Sequence, residues 1–269
     1  DNAFTNLMAR WNLRTAAAAA ERAGANAGVD PAERAAWFDT ADALVDGFDE
    51  TTLRYEQFAG FDRLEPLVIA EIAPRRPIAA DLLLGAERVR AAQVIKQADV
   101  LMLHHLVPGE VAPLSLQSNL RHYEPRTAHG SSLSPAIHAA LFARIDDFES
   151  ALTALRIASR IDLDDLTGST AEGLHMATMG GLWQALVMGF GGVRPAGDRL
   201  RIDPHVPPAW EMLTIRVRFR GARLRISIEP DKVSVRADAP VAVQAGDHCC
   251  TLVPGTTVFR RVHGTWEPA

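Results

Sequence analysis

Residues Tyr123 to Trp183 read YEPRTAHGSSLSPAIHAALFARIDDFESALTALRIASRIDLDDLTGSTAEGLHMATMGGLW. Two loops in this stretch, Arg126–Ser134 and Thr170–His175, each run into an apolar helical segment. Hydroxyls, histidines and glycines collect at both helix starts, where unpaired N–H groups and the helix dipole favour a bound anion. Between the loops, Pro135 to Arg144 and Phe148 to Arg160 read as helices, and Glu172 to Phe190 as a third.

Working outward toward the N-terminus, Phe4 to Ala23 is strongly helical. Its Ala run favours helix, and Leu7, Trp11 and Leu13 lie on one face. Asp30-Pro31-Ala32-Glu33 has the N-cap, first-position Pro and third-position Glu of a helix start, and that helix is expected to run to Val45. Tyr55 to Leu64 reads as an ordered loop, and Ala86 to Leu106 as one helix interrupted in character by Lys96 and Gln97. Paired helices of this kind suggest an α-hairpin array or toroid.

Toward the C-terminus the pattern changes near Gly191. Arg199–Ile202, Leu213–Phe219, Ala222–Ile228, Lys232–Arg236, Val241–Gln244 and Thr257–Val262 are short and rich in β-branched residues. Several alternate with Arg, as a small antiparallel sandwich requires. The outward arginines read as a solvated surface.

Net charge is −5, with no Lys/Arg run, which argues against a nucleic-acid partner. The two cysteines, Cys249 and Cys250, are adjacent and cannot form a disulfide framework, so a cytoplasmic setting is expected. No apolar run reaches membrane-spanning length and no signal peptide is visible, so no membrane partner is expected. The opening Asp1-Asn2-Ala3-Phe4 lacks an initiator Met and reads as the interior of a longer protein.

Ser134 reads as an ordinary N-cap. Ser131 and Ser132, beside His129 and Gly130, offer two hydroxyls and a permissive backbone, an arrangement suited to an oxyanion or phosphate. His175 opens the next helix, either as a structural residue or as part of the same anion site. Asp162, Asp164 and Asp165 crowd one loop without calcium spacing and read as helix-end and turn residues. A Lys96 buried in an apolar helix would need a partner, and Asp99 is within reach; the alternative is that Lys96 and Gln97 recognise sugar hydroxyls. His104 and His105 are adjacent, which is poor metal geometry, and read as structural.

Four motifs in order, IKQADV (95–100), YEPRTAHGSSLSP (123–135), DLDD (162–165) and AEGLH followed by MGGLWQAL (171–186), resemble the second half of the catalytic domain of glycoside hydrolase family 65. The resemblance spans roughly residues 1–195, and RLRIDPHVPPAW (199–210) resembles the family's small C-terminal β-sandwich. It implies a mainly α fold, an incomplete (α/α)6 barrel over residues 1–192, followed by an antiparallel sandwich over 193–269. It implies that Lys96 and Gln97 hold the glucosyl unit of an α-linked disaccharide. Ser131, Ser132 and His175 would hold inorganic phosphate, with His129 and Gly130 beside them. The implied reaction is inverting phosphorolysis to β-glucose 1-phosphate, with no metal or other cofactor and phosphate as co-substrate. Hydrolysis by water, with Glu124 or Glu172 as base, is the alternative within the family, and an inactive carbohydrate-binding or interaction module the alternative outside it. The resemblance also implies that the general-acid Glu lies upstream of Asp1. The chain alone is then expected to be inactive, to need the N-terminal half of the same protein as partner, and to form homodimers in the intact enzyme.

Overall fold

The computed structural model describes residues 1–97 and 99–269; Ala98, inside the IKQADV motif, lies outside the described residues. The chain divides into two compact units, Asp1–Ile137 and His138–Ala269.

The first unit is helical. Helix α1 (Ala3–Ala23) starts where the Asn2 side chain accepts the Thr5 N–H, and stops at Gly24, whose φ of 56° takes the chain out of the helix. Ala3, Leu7 and Ala17 are its buried residues. Helix α2 (Pro31–Ala43) is capped by Asp30, which accepts from the Ala32 N–H, and packs against α1. Just before the expected Tyr55–Leu64 loop, and sharing only Tyr55 with it, a two-stranded hairpin forms from β1 (Phe48–Asp49) and β2 (Arg54–Tyr55). Tyr55 is buried: its hydroxyl accepts the Ala112 N–H at 2.7 Å, and its carbonyl accepts the Tyr123 hydroxyl. Short helices α3 (Ile69–Ile72), α4 (Ala80–Leu84) and α5 (Ala86–Ala91) follow. Then come α6 (Asp99–Leu106) and α7 (Ser115–Tyr123).

The single helix expected over Ala86–Leu106 is two helices separated by an extended segment. The backbone between them finds its hydrogen bonds elsewhere. The Gln93 N–H donates to Glu65 O at 2.8 Å and the Ile95 N–H to Arg126 O at 2.9 Å, while Ile95 O accepts the Ala128 N–H at 2.8 Å. The buried Gln93 amide also donates to Asp62 O at 3.2 Å. The β-branched Val94 and Ile95 suit this extended path better than a helix.

Helix α8 (Ser134–Ala143) contains the division between the units. In the second unit α9 (Phe148–Arg160) is capped by Asp147, which accepts from the Ser150 N–H at 3.2 Å. Helix α10 (Met176–Gln184) continues through a π-helical turn, Ala185–Phe190. A Cβ on Gly189 would sit 2.6 Å from Ala140 Cα, so only glycine allows this turn to lie on the end of α8.

The C-terminal strands make two sheets. The first, in spatial order β11-β10-β7-β6-β5, is antiparallel throughout: β5 (Leu213–Phe219), β6 (Ala222–Glu229), β7 (Lys232–Ala237), β10 (Gly255–Val262) and β11 (Thr265–Pro268). The second runs β3-β4-β8-β9: β3 (Val193–Ala196), β4 (Arg199–Ile202), β8 (Val241–Ala245) and β9 (His248–Leu252). Here β4 and β8 pair in parallel, so this sheet is mixed rather than purely antiparallel. Ile202, Ile226, Val235, Val243 and Phe259 are almost completely buried in the shared core. Among the described residues no helix is long and apolar enough to cross a membrane.

Candidate active site

The first unit brings two of the sequence motifs together. Ile95 and Thr127 form a parallel bridge, so Lys96 and Gln97 leave the extended segment alongside Ala128 and His129. The loop is pinned on its other side by the Ile78 N–H, which donates to Ala128 O at 3.0 Å. Gly130 lies so close to this second strand of chain that a Cβ would meet Ile78 O at 2.7 Å. That close approach explains the glycine. Below the loop, Arg76 donates to the carbonyls of Glu124 and Thr127, both at 2.8 Å, and pairs with the Glu124 carboxylate at 2.6 Å. Glu124, a candidate base in the hydrolytic reading, is therefore held in a structural clamp.

Lys96 does not fit the expectation of a buried lysine on a helix. It is exposed, and among the described residues it has no ion-pair partner. The neighbour of Asp99 is instead Gln97, whose amide donates to the carboxylate at 3.4 Å. Burial raises the Asp99 pKa, and the Gln97 contact opposes this.

His129 sits at φ 53°, a strained conformation for a residue with a Cβ, and is buried. Its Nδ1 lies 2.9 Å from the Ser134 hydroxyl. Burial, and next the Arg76 guanidinium, depress its pKa to about 3, so the ring is neutral at ordinary pH. Ser134 Oγ also donates to Ser131 O at 3.2 Å, and Ser131 Oγ accepts the Leu133 N–H at 3.4 Å. Among the described residues the Ser131 hydroxyl proton has no acceptor. Gln97, Asp99, Leu133 and Ser134 line one cavity of about 130 Å³ with Phe4 and Ile137. Ordinary small-molecule sites measure roughly 300–1,000 Å³, so this cavity suits part of a ligand.

The second unit holds the other motif. His175 stands just before α10, and Asp162 grips it twice: Oδ1 lies 2.6 Å from Nδ1, and Oδ2 accepts the backbone N–H at 2.9 Å. This hydrogen bonding holds the Asp162 pKa below the usual carboxylate range. It also fixes the ring and leaves Nε2 as the atom able to meet a ligand. The sequence reading missed this role, taking Asp162 for a turn residue. Asp164 and Asp165 do serve the turn: Asp164 pairs with Arg160, and Asp165 accepts the Thr170 N–H at 3.0 Å. Glu172 is exposed. His104 and His105 are buried in α6. No group of three or more His, Cys, Asp or Glu among the described residues is placed to hold a metal ion.

Comparison with known proteins gives these loops a context. Residues 1–184 match the model of the glycosyl hydrolase family 65 central catalytic domain, and residues 193–252 that of the family 65 C-terminal domain. An uncharacterized glycosyl hydrolase of Mycobacterium tuberculosis strain H37Rv is 39% identical over 246 residues, covering 89% of this chain and 31% of that protein. The kojibiose phosphorylase of Halothermothrix orenii is 34% identical over 247 residues, covering 87% of this chain and 31% of its own length. A solved structure described as a "Putative kojibiose phosphorylase from human microbiome" superposes with a TM-score of 0.81 at 26% identity, covering 97% of this chain and 36% of that one. The chain thus spans about a third of the length of these relatives. With both family models matched in order along one polypeptide, the chain belongs to glycosyl hydrolase family 65.

Proposed function

We propose that this chain is part of an inverting α-glucoside phosphorylase, which converts a disaccharide and phosphate into β-glucose 1-phosphate and a free sugar. The observation that carries the reading is the Ile95–Thr127 bridge, which runs the Lys96–Gln97 segment beside the serine loop so that Gln97 and Ser134 face one cavity. In this reading Lys96 and Gln97 hold the glucosyl hydroxyls. Ser131, Ser132 and His175 hold the phosphate, whose attack on the anomeric carbon they steady by screening its charge. His129, neutral and bonded to Ser134, and Gly130, tight against Ile78, keep the loop in shape. A carboxylic acid opposite the phosphate protonates the leaving oxygen, as in other inverting enzymes.

Residues 1–192 are read as part of the catalytic domain and 193–269 as the C-terminal sandwich. The remaining two thirds of the protein supply the acid and the other walls of the site, so the chain alone is expected to be inactive. The intact protein is read as a cytoplasmic homodimer, and the free thiols of Cys249 and Cys250 suit that reducing compartment.

Hydrolysis is the second reading within the family. With Glu124 committed to Arg76, exposed Glu172 is the base it would need. The test is to give the full-length protein α-linked glucobioses with and without phosphate. β-Glucose 1-phosphate formed only when phosphate is present is the expected result. Equal glucose release in its absence would refute the phosphorylase reading, and sugar binding without turnover would identify a binding module instead.

A further inference from the structure

The outer face of the five-stranded sheet carries an unusual arrangement. Strands β5, β6 and β7 alternate buried apolar residues inward with exposed residues outward. At one end of the sheet the outward residues are five arginines. Arg216 lies directly opposite Arg225, which lies opposite Arg236, and in the next row Arg218 lies opposite Arg223. They line a shared concavity of about 660 Å³. None of the five guanidinium groups is in an ion pair or a side-chain hydrogen bond among the described residues. The one carboxylate in this lining, Asp238, accepts the backbone N–H of Arg223 through Oδ1 at 2.7 Å.

Like charges facing each other across an antiparallel pair destabilise a sheet. Three such contacts fall in one patch, and among the described residues the one carboxylate lining it, Asp238, forms no ion pair with any of the five arginines. The cluster also sets the sign of the region. Residues 193–269 carry twelve Lys and Arg against eight Asp and Glu, while residues 1–192 carry sixteen against twenty-five. The patch is bounded as well. The adjoining row across the sheet is Thr214, Ser227, Ser234 and Val258, and beyond it Lys232 pairs with Glu229 at 2.6 Å. With strands ~4.8 Å apart and alternate residues ~6.8 Å apart along a strand, the five Cα positions cover roughly 10 by 7 Å. That footprint is compact, unlike the continuous stripe that a polymer backbone follows.

We propose that this arginine face is a binding site for a compact polyanion carrying two or three phosphate groups. Guanidinium groups suit it, because each presents a planar fork to phosphate oxygens and is weakly hydrated. Bound anion neutralises the mutual repulsion of the arginines, so binding and stabilisation of the sandwich are coupled.

The test uses the 269-residue chain and sodium tripolyphosphate, read by calorimetric titration and thermal melting at low salt. The wild type is expected to bind and to melt at higher temperature with the anion. Arg225→Thr should weaken binding at least tenfold, and the Arg216→Thr/Arg225→Thr/Arg236→Thr variant should abolish it. Threonine keeps strand propensity, so without anion the triple variant should melt at or above the wild-type temperature, which shows that it is folded. ATP and fructose 1,6-bisphosphate, run in parallel, separate nucleotide and sugar sources from inorganic ones; arginine-dependent binding of any of the three supports the site. Equal tripolyphosphate binding by wild type and triple variant would overturn it. So would orthophosphate binding that is as tight as tripolyphosphate binding and is lost in the triple variant, or heparin binding that tripolyphosphate fails to displace, which would mean an extended surface.

Discussion

Two histidines, one buried and one partly buried, should make this protein sensitive to mild acid. Burial, and next the Arg76 guanidinium, depress the His129 pKa to about 3. His122, whose Nδ1 meets the Arg54 guanidinium at 2.5 Å, is depressed to about 3 by burial and then by Arg126 and Arg54. An unfolded histidine titrates near ~6.5. Between these values the unfolded chain binds a proton that the folded chain refuses, so stability is greatest above about pH 6.5 and falls as pH is lowered toward about 3. Each pH unit costs about 1.4 kcal/mol for a fully buried histidine, so moving from about pH 7 to about pH 5 should cost ~2 kcal/mol for His129 and less for His122, which solvent partly screens. The depressed carboxylates, such as Asp162, add their loss only below ~4, outside this window. The raised Asp99 acts in the opposite sense, but it is common to wild type and variants and cancels in the comparison. Urea unfolding at about pH 7 and about pH 5 measures the loss. His129→Gln, which keeps a polar partner for Ser134, should shrink it by ~2 kcal/mol, and His122→Gln by a smaller amount. A pH-dependence unchanged by either substitution would refute the assignment. It would also remove the argument that His129 shapes the serine loop as a neutral hydrogen-bonding group rather than as an acid.

In the full-length protein, Asp162→Asn should weaken the hold on His175 and raise the phosphate KM on the order of tenfold, with a smaller effect on the disaccharide KM, as initial rates at varied phosphate would show. An unchanged phosphate KM would separate His175 from phosphate binding. Gly189→Ala should destabilise the chain by ~2–3 kcal/mol, because the added methyl meets the Ala140 backbone, which has little freedom to move. Urea midpoints would measure it, and a neutral result would mean that the π-helical turn is not held against α8.

The helices and strands that were legible share one property: their partners are local or repeat with a fixed period. Phe148 to Arg160 is capped by the residue just before it, and Ile215, Leu224, Ile226 and Val235 fall on the buried face at every second position. Strands β3 and β11 escaped because Pro195 and Pro268 interrupt their patterns. The parallel pairing of β4 with β8 joins residues some forty positions apart, and no local signal reports it. Ala86 to Leu106 failed for the same physical reason. Its apolar spacing is helical, but the carbonyls of Glu65 and Arg126 compete for its backbone N–H groups, and neither is near in sequence.

That failure bears on the candidate site itself. A lysine and a glutamine in the middle of an apolar helix would have needed internal partners, and Lys96 would have been spent on Asp99. On the extended segment Lys96 is exposed and its ammonium is uncommitted among the described residues. Gln97 alone touches the carboxylate, through one long contact that a ligand hydroxyl can replace at little cost. His175, in the second unit, has both its backbone N–H and its ring Nδ1 held by one carboxylate. The two motifs therefore differ in preparation: the histidine is oriented before any ligand arrives, while the lysine and glutamine retain side-chain freedom that binding must remove. Such a division suits a rigid grip on a small symmetric anion and an adjustable one on a sugar ring. It also explains why the serine and histidine loops stood out by residue type alone, whereas the course of the Lys96–Gln97 segment required the backbone path to be known.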